Sequence, residues 1–333
     1  MNDQKLLSVA PSPHVKHSDN ARTIMLDVVI AMIPALVWAV YMFGWRVLSV
    51  VLISVASSVI FEYLFQKLLK RPVTVLDFSA VVTGMLIAFN LPVSVALWVP
   101  VMGSFFAIVI VKQLFGGIGK NVVNPALAAR VFLFTAWPGE INGYVEPLTD
   151  KLNALSVNAG DIVAGATPLA SLKLGKTPDV GIFDLFIGNM PGCIGEISAM
   201  LILIGGLYLL LRRVITWHIP VAYLGTVAVL SFIFPQTQSV QAYEFMLMEL
   251  CSGGLMLGAI FMATDYATSP VTSSGRVIYG IGCGAITVFI RYFGGYSEGV
   301  SFAILIMNLL VWYIDKWTRP KPFGYTPKAK EVK

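Results

Sequence analysis

The sequence predicts an all-α polytopic membrane protein of about ten transmembrane helices in two inverted five-helix repeats. Three observations predict it. Of 333 residues, 57% are hydrophobic and 12% charged, whereas a soluble domain carries about 25% charge. Apolar runs near the ~20 residues that cross a bilayer as a helix recur along the chain. The stretch "AIVIVKQLFGG" at 107–117 returns as "AITVFIRYFGG" at 285–295. Ala107, Ile108, Phe115, Gly116 and Gly117 thus recur at a spacing of 178, which Pro92 and Pro270 share.

Residues 1–22 are polar and read as a cytoplasmic N-terminal segment. The apolar run after them is too long for a signal-peptide core and lacks an A-x-A-like end, so it reads as a retained first span. Spans are expected at 23–43, 46–66, 74–91, 94–112 and 121–137, which form the first repeat, 23–137. A polar connector, 138–192, follows. The second repeat, 193–317, holds spans at 193–211, 216–235, 244–263, 276–293 and 299–317, and 318–333 is a cytoplasmic tail. Five spans lie between equivalent points, an odd number, so the second copy is upside down. That is the plan of many transporters, with sites near the midplane where the copies meet. Phe-Gly-Gly is also a common helix ending; several matches at one offset favour the repeat. The third and eighth spans lead into "FNLP" and "DYATSP". Such breaks are tolerated at membrane depth only where protein or water covers the freed backbone groups.

Positive charge sets the orientation. With a cytoplasmic N-terminus, one side receives Lys5, Lys16, Arg22, Lys67, Lys70, Arg71, Lys112, Lys120, Arg212, Arg213, Arg276 and six C-terminal cations, 17 of the 23. This puts 138–192 on the outer face. The net charge of +5 sits in short loops and does not suggest nucleic acid. Cys193, Cys251 and Cys283 are widely spaced, which argues against an iron–sulfur or zinc site made by this chain alone. Small apolar fillers in helices explain them.

In "GGIGKNVVNPALAAR" (116–130), Asn121 and Asn124 share a helical face if span five begins there. Their carboxamides suit the edge of a flavin or quinone ring. The alternative is a plain loop-to-helix start, with Asn124 as cap and Pro125 in the first turn. Arg130 lies inside an apolar helix, where a charge costs about 2.5–3.5 kcal/mol on insertion scales, so it should face the bundle interior and meet an anion or carbonyls. The acids near spans are Asp27, Glu62, Asp77, Glu244, Glu249, Asp265, Glu298 and Asp315; capping or solvation accounts for several. Asp265 stands out in the hydroxyl-rich "FMATDYATSPVTSSGR", which suits a hard cation or a polar ligand edge. An ordinary turn is the alternative. The outer connector contains "DIVAGATPLA", in which Thr167 has small neighbours. A phosphate ester there would tether a cofactor outside the bilayer; on the three letters alone an ordinary Gly-Ala-Thr turn is the better reading.

Together, "PSPHVK", "IMLDVVIAMIPA", "FGGIGKNVVNPALAARVFLF", "DIVAGATPLA" and "FMATDYATSPVTSSGRVIYG" cover nearly the whole chain. They resemble the family of the RnfD protein of the Rnf complex, an ion-translocating ferredoxin:NAD oxidoreductase, and more distantly the NqrB protein of the sodium-pumping NADH:quinone reductase. The resemblance implies FMN joined through its phosphate to Thr167, within a D-x-x-[ST]-G-A-T motif that Asp161, Gly165 and Ala166 match; Ala164 stands where Ser or Thr is usual. A flavin transferase using FAD and Mg²⁺ would install it. The resemblance further implies a second, non-covalent flavin such as riboflavin near Asn121 and Asn124, with Arg130 grouped among the cofactor-binding residues. Asp265 matches an A-T-D element connected with ion uptake, and Asp315 in "WYIDKW" is a looser ion-path match.

The resulting expectation is a flavoprotein component of a redox-driven Na⁺ or H⁺ pump, multi-pass in a bacterial or archaeal cell membrane and surrounded by lipid. Its termini are cytoplasmic and its FMN-bearing loop is extracytoplasmic. It has no dinucleotide-binding glycine motif and no cysteine cluster, so NAD and ferredoxin chemistry fall to the other Rnf proteins (A, B, C, E and G), and the chain is not active alone. The rival is a cofactor-free inverted-repeat channel or permease; a second is a scaffold whose flavins sit in other components of the complex.

Overall fold

The computed structural model describes residues 20–147, 167–178, 180–237 and 240–320. Every element among them is helical. Helices α1 (Ala21–Phe43) and α2 (Arg46–Leu68) are followed by α3 (Ser79–Phe89), α4 (Trp98–Gln113) and α5 (Pro125–Ala136). Short α6 (Pro138–Ile141), α7 (Pro168–Lys173) and α8 (Ile182–Ile187) lie in the connector. Then come α9 (Ala199–Leu211), α10 (His218–Ile233), α11 (Ala242–Cys251), α12 (Leu255–Met262), α13 (Ser273–Phe293) and α14 (Val300–Thr318).

Four helices, α1, α2, α13 and α14, are long and apolar enough to cross a membrane, and α11 with α12 makes a fifth if the bent pair is one span. Helices α3, α4, α5, α9 and α10 are apolar but shorter. Each expected span therefore contains helix, but several are trimmed. The third begins at Ser79, after a one-turn 3₁₀ helix, Val75–Asp77. The fifth begins at Pro125 because Asn124 caps it, and the sixth begins at Ala199 behind the Ser198 cap. The eighth is broken inside its length: α11 and α12 meet at 65°.

The breaks are covered by protein. Beyond α3, Phe89 O and Leu91 O accept from Gly195 N (2.8 Å) and Ile194 N (3.0 Å). At the α11–α12 break, Arg291 of α13 donates to Glu249 O (2.7 Å) and Ser252 O (3.1 Å). The Glu298 carboxylate accepts from Gly254 N (2.6 Å) at the start of α12. A cation thus meets the carbonyl end of one half-helix and an anion meets the amide end of the next, as the helix dipole favours.

The five helical positions of 23–137 recur in order in 193–317. Helix α2 packs on α3 and α4, and α10 on α11, α12 and α13. The first elements of each set, α1 and α9, touch, as do the last, α5 and α14. Like-with-like pairing is what a two-fold relation between halves produces. Apolar side chains such as Val37, Leu52, Phe289 and Leu309 are exposed, an outward surface suited to lipid.

Candidate functional site

Two cavities border the interface between the two sets of helices. The larger, about 380 Å³, is walled mostly by apolar side chains, with Asn121, Asn124, Asp265, Lys112, Ser79 and Thr83 among its lining. The structure thereby brings together three of the residues singled out in sequence. Asn124 caps α5: its Oδ1 accepts from Ala126 N (3.0 Å) and Leu127 N (3.3 Å). Its Nδ2 donates across the interface to Met262 O at 3.1 Å. The helix-start reading is realised, and the same side chain borders the cavity. Asp265 realises the turn reading: its carboxylate accepts from Ala267 N (3.4 Å) and Thr268 Oγ1 (3.1 Å), and it borders the same cavity. Asp315 lies away from this cavity and holds Val271 N at 3.1 Å.

Lys112 belongs to the π-helical second half of α4. It is 3% exposed and donates to both oxygens of Glu62 (3.0 and 2.8 Å) and to Ser79 Oγ (2.6 Å). Glu62 also accepts from Gln113 Nε2 at 2.9 Å. Sequence reading grouped Lys112 with the loop cations; its place inside an expected span, 94–112, was the signal that it is buried.

The second cavity, about 20 Å³, is lined by Thr167, Tyr144, Gly192, Glu196, Ser297 and Glu298 among others. Thr167 is half-buried and caps α7, its Oγ1 accepting from Ala170 N at 3.3 Å, with Pro168 in the first turn. Lys173 at the other end of α7 donates to Gly294 O (2.6 Å) and to Tyr296 O. It thereby fastens this short helix to the turn that carries Glu298. Asp161, Gly165 and Ala166 lie outside the described residues.

Arg130 does face the interior and does meet anions. It pairs with Glu298 and, at 3.2 Å, with Glu196, and donates to Asn90 Oδ1 at 2.8 Å. Its guanidinium is taken up by these partners, which makes it a structural centre beside the Thr167 cavity. Glu196 escaped the sequence reading although it falls three residues inside the expected span 193–211, a position where an acid is unusual.

A buried polar chain joins the two cavities. From Asn124, on the larger cavity, it passes to Met262, whose sulfur accepts from Asn90 Nδ2 (3.7 Å). Asn90 then accepts from Arg130, which reaches Glu196 and Glu298 on the smaller cavity. The repeat offset applies to this chain. Arg130 bonds Asn90, and 178 residues on, Asn308 donates to Thr268 O at 3.1 Å in the amide orientation that satisfies both of its ends. In that orientation its oxygen accepts from Asn124 N at 3.1 Å.

Comparison with known proteins adds the rest. The NQR2, RnfD, RnfE family matches residues 8–324. The chain is 49% identical over 332 residues to the D component of the Na(+)-translocating ferredoxin:NAD(+) oxidoreductase complex of Acetobacterium woodii, covering 98% of each chain. It is 38% identical to the D component of the proton-translocating ferredoxin:NAD(+) oxidoreductase complex of Clostridium ljungdahlii, covering 96% of this chain and 97% of that one. It is 41% identical to the D component of the ion-translocating oxidoreductase complex of Stutzerimonas stutzeri, covering 93% and 94%.

Proposed function

The chain belongs to the NQR2, RnfD, RnfE family, and from that premise we propose that it works as the D component of an ion-translocating ferredoxin:NAD⁺ oxidoreductase. It acts within a multi-subunit complex, as a multi-pass membrane protein. The observation that carries this reading is 49% identity over 98% of both chains to a relative so named. The channel or permease alternative has no comparable support.

The finer reading is a flavoprotein. Thr167 would hold FMN as a phosphate ester. Its hydroxyl borders a cavity, and small residues precede it in the sequence. A cavity of about 20 Å³ has room for about one water, so the three-ring system would lie outside it and only the anchor would be enclosed. The larger cavity, about 380 Å³ with apolar walls and the Asn121 carboxamide, matches what a planar ligand needs and supports a second, non-covalent flavin there. Bound flavin supplies the electron chemistry. The residues of this chain hold the anchor, exclude water and set the local charge. Moving one charge against 100 mV takes about 2.3 kcal/mol, which electron transfer through the complex would provide. Asp265 is the candidate cation contact, and relatives whose names specify Na⁺ and protons leave both ions open. The charge distribution supports cytoplasmic termini and an extracytoplasmic Thr167.

The test is in-gel flavin fluorescence of the denatured chain from cells that possess a flavin transferase. A fluorescent band abolished by Thr167→Ala is expected. A dark wild-type band would end the covalent-FMN reading at Thr167 while leaving the family assignment intact.

A further inference from the structure

Three carboxylates and two guanidinium groups meet in one buried cluster beside Thr167. Glu196 and Glu298 both reach Arg130 Nη2, and Glu249 pairs with Arg291 at 2.5 Å. With every group ionised, these five carry one net negative charge, largely shielded from water; Lys173, held on the Gly294 and Tyr296 carbonyls, is a further cation on the turn that carries Glu298. An unpaired buried charge is costly, and crowded carboxylates relieve it by keeping a proton. The surroundings indicate where it sits. Glu298 is held by Arg130 and by Gly254 N, and also faces Arg291. Glu196 has one guanidinium nitrogen at 3.2 Å and otherwise faces Cys193, Tyr144 and Glu298, none of them cationic. Both acids lie in segments between helices. Burial, and then the charge of Glu298, push the Glu196 carboxyl up. Burial acts the same way on Glu298, but Arg130 and Arg291 outweigh it and hold that carboxyl low. Two further features belong to the cluster. Arg291 Nε, on a side chain 2% exposed, has no partner among the described residues. The cavity of about 20 Å³ touches Glu196, Glu298 and Thr167 together.

We propose that Glu196 and Glu298 form a proton-loading site, sharing one proton that is taken up as negative charge builds on the group carried by Thr167 and released as that charge leaves. The proposal rests on the reading that Thr167 carries a flavin. In loading, an O–H bond forms on Glu196 and one breaks in a hydronium ion of the bulk water. No electron moves within the pair, whose two members titrate as a unit.

Infrared difference spectroscopy of the purified complex tests this in two arms. In reduced-minus-oxidised spectra of the wild type, a protonated-carboxyl band that shifts in D₂O is expected to gain intensity on reduction, and Glu196→Gln removes it. In a pH titration of the Thr167→Ala complex, which needs no flavin, one titrating carboxyl band is expected, again lost in Thr167→Ala/Glu196→Gln. A fluorescent wild type with no titrating band in the second arm overturns the shared proton. A titrating band unchanged by reduction overturns the coupling. A dark wild type with the band retained means the flavin reading has failed, and the coupling falls with it. If Glu196→Gln does not assemble, Glu196→Asp keeps the acid and must move the band and its pH midpoint; an unmoved band overturns the assignment to Glu196.

Discussion

At the scale of single residues, the buried Lys112–Glu62 pair gives the sharpest stability prediction. Lys112→Met leaves Glu62, 1% exposed, with only the amides of Gln66 and Gln113 as donors. The expected loss is about 3–5 kcal/mol, because removing one partner strands a buried charge. The double variant Lys112→Met/Glu62→Gln should recover most of it in denaturant melts of the detergent-solubilised protein. Equal losses in the single and double variants would show that the pair is not what matters. Asp265→Asn is expected to weaken the cation dependence of turnover in the complex. Asp315→Asn, away from the larger cavity, is expected to leave that dependence unchanged. Identical responses would dissolve the distinction between them. Sequence alone singled out Thr167 by a motif match and placed Arg130 in the interior beside anions, since a charge in an apolar run is a local signal. It missed Glu196 and Lys112 because their significance comes from partners 66 and 50 positions away.

At the scale of elements, the bent α11–α12 pair shows how a break survives in an apolar body. Its freed carbonyls and amide are answered by Arg291 and Glu298, from other parts of the chain. "FNLP" announced the break after α3 through its proline. "CSGG" at 251–254 did not, because small residues fit inside helices as readily as they interrupt them. Gly280 and Gly284, spaced four apart on α13, let α10 approach closely: a Cβ at either would lie 2.7 Å from a side-chain carbon of α10, at Ala222 and Thr226 respectively. Small residues at such spacing are how membrane helices pack. Gly280→Leu is therefore expected to push α10 and α13 apart and lower stability by about 1–3 kcal/mol, read as a drop in melting temperature. Gly225→Leu, where a Cβ meets nothing within 4 Å, serves as the tolerant control. A silent Gly280→Leu would contradict the packing.

At the scale of the whole molecule, the repeat legible in "FGG" at an offset of 178 pointed to two sets of five helices in the same order, and the structure adds that α1 meets α9 and α5 meets α14. The repeat could not foretell that five of the helices are too short to span alone by length, since their ends are set by caps and covering loops from elsewhere in the chain. A chain without a dinucleotide motif or cysteine cluster is expected to show no ferredoxin-dependent NAD reduction when purified alone and to regain it only with the rest of the complex; activity of the lone chain would refute that division of labour. Positions 130 and 308 are the same place in the two halves, yet one is a fixed guanidinium and the other a neutral amide. The two halves share their order of helices but not the charge at this position. Two carboxylates, Glu196 and Glu298, close on Arg130, whereas the groups around Asn308 are carbonyls, a hydroxyl and an amide, all neutral. The two halves are thus alike in path and unlike in charge at this one matched position.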